Sequence, residues 1–126
     1  MFQKGKKSSP LTGGLSIMIV GCGKVGKTLV ERLSKEGHDI SVVDKSAARL
    51  QSVTNMYDVF GVVGNGASFT VLKEAGIEHT DILIAVTDSD ELNLLCCTVA
   101  KRVGDCAAIA RVRTPDYSDE ASYLKE

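Results

Sequence analysis

The chain lacks any long apolar run. Its hydrophobic stretches at 17–20, 82–86 and 107–110 are short and interrupted, whereas crossing a bilayer takes roughly 20 consecutive apolar residues. That argues against direct membrane insertion, so any link to a membrane would pass through another polypeptide. Excess positive charge is also missing: 15 Lys and Arg stand against 16 Asp and Glu, for a net charge of -1, and nothing basic argues for nucleic acid as a partner. Metal-type cysteine spacing is absent. Cys22, Cys96, Cys97 and Cys106 contain no Cys-x-x-Cys pair, and each lies in or beside an apolar segment. Reduced, buried thiols in a cytosolic protein are the default reading of such cysteines. There is no room for a two-domain enzyme, because 126 residues make one core of ordinary size. A signal peptide is lacking too, since the basic Met1 to Lys7 runs into Ser-Ser-Pro-Leu-Thr-Gly-Gly with no apolar stretch. Residues 1–15 read as a disordered leader, and 16–126 as a single domain.

What is present is a composition of 44% hydrophobic and 25% charged residues, that of an ordinary globular domain. Short Val- and Ile-rich runs alternate with longer stretches of helical spacing, the pattern of a parallel sheet with crossover helices. Strands are expected at 16–20, 39–43, 59–63, 81–86 and 107–112, and helices at 24–36, 46–54, 68–75 and 90–103. In the first helix Val25, Leu29 and Leu33 recur on one face, and Gly37 ends it as a residue that accepts left-handed dihedrals. Ser46 is the expected N-cap of the second helix. The fourth helix is unusually apolar, with Leu92, Cys96, Val99 and Val103 on one stripe and Leu94, Leu95 and Cys97 around it; such a helix is usually covered on more than one side. Thr114-Pro115 opens a final segment to Glu126 that could be helical, with no strand after it. The expected fold is α/β, a Rossmann-type doubly wound parallel sheet in three αβα layers, truncated before its last strand.

Residues 20–26 read Val-Gly-Cys-Gly-Lys-Val-Gly. A lone Gly-x-Gly-x-x-Gly is weak evidence, because glycines gather in turns for conformational reasons alone. Here it falls where a strand ends and a helix begins. Gly21 would permit the tight turn, Gly23 would let backbone approach a pyrophosphate, and Gly26 would let the helix pack closely on the sheet. Free N–H groups and the positive end of the helix dipole then hold phosphate without any catalytic side chain. Asp44 closes the second strand, where a carboxylate accepts from ribose hydroxyls and repels a 2′-phosphate; Lys45 beside it softens that repulsion. The helix N-terminus beside Cys22 would lower its pKa and open it to redox chemistry.

Gly64-Asn65-Gly66-Ala67 and the acidic loop Thr87, Asp88, Asp90 and Glu91 also fall at carboxyl ends of strands, the edge where open α/β sheets bind ligands. Asp88 or Asp90 serves equally well as a helix N-cap. Arg111 and Arg113 share a face by strand alternation; Arg111 is the candidate to reach phosphates, and the alternative is that both are solvated or paired with the acids of the preceding loop. His38 and His79 precede strands at the opposite edge and read as surface residues. A Tyr-x-x-x-Lys pair after the sheet and a substrate domain are both missing, so the sequence speaks for binding rather than turnover.

Five segments in order, namely the glycine turn, Glu-Gly-His-Asp-Ile-Ser-Val-Val-Asp-Lys, Gly-Asn-Gly-Ala, Asp-Ile-Leu-Ile-Ala-Val-Thr-Asp-Ser-Asp-Glu-Leu-Asn, and Ile-Ala-Arg-Val-Arg-Thr-Pro-Asp-Tyr, together resemble the nucleotide-binding N-terminal domain of the TrkA/Ktr potassium-uptake regulators, the KTN or RCK domains. The resemblance implies a cytoplasmic, non-enzymatic regulatory subunit. It would form a homodimer or higher ring beneath a potassium transporter or channel membrane subunit, at the inner face of the plasma membrane. It implies NAD or NADH as ligand, alternatively ATP or ADP. Gly21, Cys22, Gly23, Lys24, Val25 and Gly26 would hold the phosphates, and Asp44 and Lys45 the adenosine ribose. Asn65, Gly66 and Ala67 would lie by the adenine, Thr87, Asp88 and Glu91 along the rest of the pocket, and Arg111 near the phosphates. Cys22 stands where this family more usually has alanine. The second reading is the cofactor half of an NAD-dependent oxidoreductase.

Overall fold

The computed structural model describes residues 14–115. The expected leader up to residue 13 and the expected terminal helix beyond Pro115 lie outside them. Five parallel strands, β1 (Ser16–Val20), β2 (Asp39–Asp44), β3 (Phe60–Val63), β4 (Ile82–Ala85) and β5 (Ala107–Ala110), stand in the order β3-β2-β1-β4-β5. The crossovers are α1 (Lys24–Lys35), α2 (Ala47–Met56), α3 (Phe69–Glu74) and α4 (Asp90–Val103), with a short 3-10 turn at Ile77–His79. The order reverses at β1, whose neighbours are β2 and β4, and such a switch point opens a crevice at the carboxyl ends of the strands. Val20 pairs in register with Val43 on one side and Ala85 on the other, so these ends lie level.

Alternation along each strand sends side chains to two faces, and both faces are covered. On one, Ile17, Ile19, Ile40 and Val42 pack with Val30 of α1 and Leu50 and Val53 of α2. On the other, Met18, Val20, Val43 and Leu83 pack with Leu72 of α3 and Cys96 and Ala100 of α4. Covering both faces is what makes these strands near-continuous apolar runs, and it gives the expected three layers.

Three local expectations change. Val25 does not share the buried face of α1: it is 39% exposed while Val30 is buried. The face toward the sheet centres on Gly26 and Val30, because only a residue without Cβ lets the first turn press against the strand ends. On α4, Cys96 and Ala100 form the buried stripe and Leu92, Val99 and Val103 flank it, while Leu95 is 51% exposed; described residues cover one side of this helix. His38 is no simple surface residue, for its Nδ1 accepts the Leu15 N–H at 2.9 Å and its side chain is 17% exposed. With the Leu15 carbonyl accepting from Asp39 N–H at 2.8 Å, that bond ties Gly14 and Leu15, assigned above to the leader, to the foot of the sheet. His79 is half-buried. Gly37 and Gly76 both have positive φ, at 84° and 95°, and end α1 and α3 as glycines do.

Candidate functional site

A cavity of about 450 Å³ opens at the carboxyl ends of the five strands. Its floor is the glycine turn. Gly21 has φ 102°, and a Cβ there would sit 2.9 Å from the Thr87 nitrogen. At Gly26 a Cβ would lie 1.8 Å from the Gly21 carbonyl oxygen, so this glycine is required by contact between helix and turn. Gly23 is different: a Cβ there would meet only Arg49 Nη1, at 3.9 Å. Nothing in the fold demands glycine at that point, and the space above it belongs to the cavity.

Among α1 to α4, the helix that starts here is the one without a side-chain cap. Ser46, Ser68 and Ser89 accept from the Arg49, Val71 and Leu92 N–H groups at the starts of α2, α3 and α4. At α1 the cap residue is Gly23, with no capping hydrogen bond and no acid in the first turn. Its first N–H groups are orphan donors at the positive end of the helix dipole. Lys24 and Val25 line the cavity beside them.

Asp44 is 7% exposed and lines the cavity, and it is already engaged. Its Oδ2 accepts from the Cys22 N–H at 2.8 Å and the Cys22 thiol at 3.3 Å, and its Oδ1 from the Ser46 N–H at 2.7 Å. Cys22 itself is buried under the loop and does not line the cavity. Its pKa is pushed up to about 12, by burial first and then by the Asp44 charge, against smaller pulls from Arg49 and Lys27. This corrects the expectation of a lowered value: desolvation and an adjacent carboxylate disfavour the thiolate more than the helix end favours it.

Lys45 lines the cavity, as does Arg49, one turn into α2. Sequence reasoning missed Arg49. The available signal was its position three residues after the cap Ser46, which directs it over the end of β2. Asn65 and Gly66 also line the cavity. The Asn65 Oδ1 accepts the Ala67 N–H at 2.8 Å and closes the turn, which rotates Ala67 into contact with the core and out of the lining. A Cβ on Gly66 would meet Val20 Cγ1 at 2.4 Å.

On the far side, fully buried Asn93 of α4 joins two strand ends. Its Oδ1 accepts from Thr87 N–H (2.8 Å) and Oγ1 (2.7 Å), and its Nδ2 donates to the Thr87 and Arg111 carbonyls at 3.2 and 2.9 Å. Thr87, Asp88 and Arg111 line the cavity. Arg111 donates through Nη2 to the Thr87 carbonyl at 2.8 Å and stands 3.8 Å from the Asp88 carboxylate; its buried Nε has no hydrogen-bond partner among the described residues. Arg113 also lines the cavity and donates to the Asp88 carbonyl. Glu91 lies outside, accepting from Ser89 Oγ at 3.3 Å.

Ser89, rather than Asp88 or Asp90, caps α4. Asp90 instead takes the Arg113 N–H at 3.1 Å and the Thr114 N–H at 2.8 Å. The Thr114 hydroxyl, then those two amides, hold its carboxyl below the usual range. The remaining lining comes from Val20, Gly64, Val86, Ser89 and Leu92; of these, sequence reading had placed Val86 only in a strand and Leu92 only on the apolar stripe of the fourth helix. Five cations thus face the cavity (Lys24, Lys45, Arg49, Arg111 and Arg113) against Asp44 and Asp88. Among the described residues no group of His, Cys, Asp and Glu could hold a metal ion.

Comparison with known proteins bears on the fold and the family. A family model described as the TrkA-N domain matches residues 17–125. Proteins named Trk system potassium uptake protein TrkA are similar: one from Azorhizobium caulinodans is 43% identical over 104 residues, covering 82% of this chain and 23% of that protein. A TrkA homolog from Archaeoglobus fulgidus is 40% identical over 105 residues, covering 83% and 24%. The chain therefore spans about a quarter of the length of these relatives. Among solved structures, a GsuK channel bound to NAD superposes with TM-score 0.75 at 20% identity, over 97% of this chain and 22% of that one. The NAD(P)-binding domain of an exopolyphosphatase-related protein from Archaeoglobus fulgidus gives 0.74 at 22%, over 85% and 80%. At such identities these structures show the Rossmann-like fold, which saccharopine dehydrogenase from Saccharomyces cerevisiae also shares, with TM-score 0.66 at 12% identity over 82% of this chain and 23% of that one. The family match and the TrkA relatives give the more specific result: the chain belongs to the TrkA-N domain family.

Proposed function

We propose that this chain is a nucleotide-binding regulatory module of potassium transport with no turnover of its own. The observation that carries the proposal is the uncapped start of α1, opening beside Gly23 into a cavity faced by five cations. Orphan N–H groups and a helix dipole stabilise phosphate, and the cavity offers them with space already cleared. The ligand is an adenine nucleotide, NAD or NADH, alternatively ATP or ADP. The names of the TrkA relatives and the NAD-bound GsuK neighbour support this reading. Regulation then requires two nucleotides to differ in affinity between two arrangements of paired subunits, because equal binding to both shifts nothing. The partner is a potassium transporter or channel subunit, with this chain peripheral at its cytoplasmic side as a homodimer or higher ring.

Gly23→Val tests the reading, since Gly23 lines the cavity and a Cβ there would meet only Arg49 Nη1, at 3.9 Å. By titration calorimetry with ATP, ADP, NAD, NADH and NADPH, the wild type is expected to bind at least one of the first four. Gly23→Val is expected to lose about 100-fold in affinity, the effect of removing several charge-assisted hydrogen bonds, with its urea midpoint little changed. Equal binding by both proteins would remove the phosphate cradle, and a preference for NADPH would overturn the ribose role of Asp44.

A further inference from the structure

We infer that Cys22 sets how the cavity reads an adenosine ribose: its thiol occupies a site on Asp44 that a ribose hydroxyl would otherwise use, leaving the carboxylate to accept one ligand hydroxyl rather than two. This rests on the nucleotide reading above.

An ionised carboxylate offers about four lone-pair sites. On Oδ2 the Cys22 N–H and S–H, at 2.8 and 3.3 Å, take two, and on Oδ1 the Ser46 N–H, at 2.7 Å, takes a third. One site remains, on Oδ1. Two of the three protein donors are backbone groups. The turn places one and the start of α2 the other, so any residue at those positions would supply them. The thiol hydrogen is the donor that depends on residue identity. It is present across the working pH range because burial and the neighbouring carboxylate push the thiol pKa up to about 12.

Cys22 is 3% exposed and does not reach the cavity wall. It therefore acts on a ligand only through Asp44, as a positioning residue. A thiol is a weak donor, so its presence limits the carboxylate without disabling it.

The test titrates ADP and NAD, each alongside its adenosine 2′-deoxy and 3′-deoxy analogues, into wild type, Cys22→Ala and Cys22→Ser. In the wild type, one of the two deoxy analogues binds about ten-fold more weakly than its parent, the effect of one hydrogen bond to a charged group, and the other binds as its parent does. In Cys22→Ala both analogues are penalised. Cys22→Ser, whose hydroxyl donates in place of the thiol, returns to the wild-type pattern. A general loosening of the fold would weaken parent and analogues alike and leave the ratios unmoved. A wild type that penalises both analogues or neither overturns the inference, even where a variant fails to fold. So does an identical pattern in all three proteins. A wild type that binds neither ADP nor NAD removes the nucleotide reading itself, which separates that failure from this one.

Discussion

At the scale of single residues, the glycine turn contains glycines required for two different reasons. Gly26 is demanded by the fold, with the Gly21 carbonyl 1.8 Å from where its Cβ would be; Gly23 is left open by the fold. Gly26→Ala is therefore expected to cost about 3 kcal/mol, at the upper end for overpacking because backbone must move. Gly23→Ala is expected to stay within about 1 kcal/mol of wild type, the scale of a helix-cap change. Urea denaturation of both variants checks this, and similar losses would show that the turn is rigid throughout. The spacing of these glycines was legible in the sequence, but their division of labour was not, because it depends on which backbone lies opposite each one. The same holds for Cys22 and Asp44, which are 22 positions apart. Their hydrogen bond exists only because β1 and β2 run side by side.

At the scale of elements, the end of β5 is fastened to the start of α4 by one carboxylate. Asp90 accepts from Arg113 and Thr114, and these bonds hold its carboxyl below its ordinary value. A folded value below the unfolded one means stability that is present at neutral pH and lost as pH falls through the depressed folded value. Asp90→Asn, which loses the charge and sets an NH2 donor where Oδ1 accepts the Arg113 N–H, is expected to have a lower urea midpoint than wild type at neutral pH. The gap should close as pH drops below about 3.9, the ordinary Asp value. A gap constant from neutral to acid pH would assign the loss to packing instead. From sequence, the loop holding Asp90 was legible as a helix start. The cap fell to Ser89 because a short hydroxyl one residue earlier reaches the Leu92 N–H at 3.1 Å, freeing Asp90 for a contact 23 residues away.

At the scale of the whole molecule, a chain with a net charge of -1 gathers five cations around one cavity. The field there is set by placement rather than by total charge. Nucleotide affinity is accordingly expected to fall as salt rises, by about ten-fold once the screening length drops from roughly 30 Å to roughly 3 Å, and more steeply for ATP than for NAD, which carries fewer charges. Calorimetry across a salt series reads this directly. Affinity independent of salt would mean that backbone donors alone carry the binding.

The sequence by itself determined the layered α/β architecture, the place of the glycine turn and the acid ending the second strand. Local periodicity and turn chemistry act over neighbouring residues and are written in their order. Tertiary structure alone decided that Arg49, Arg113 and Leu92 join the cavity while Cys22, Ala67 and Glu91 stand outside it. It also decided that Asn93 links two strand ends. These are outcomes of side-chain direction and of contacts between segments far apart in the chain, which exist only once the strands have paired.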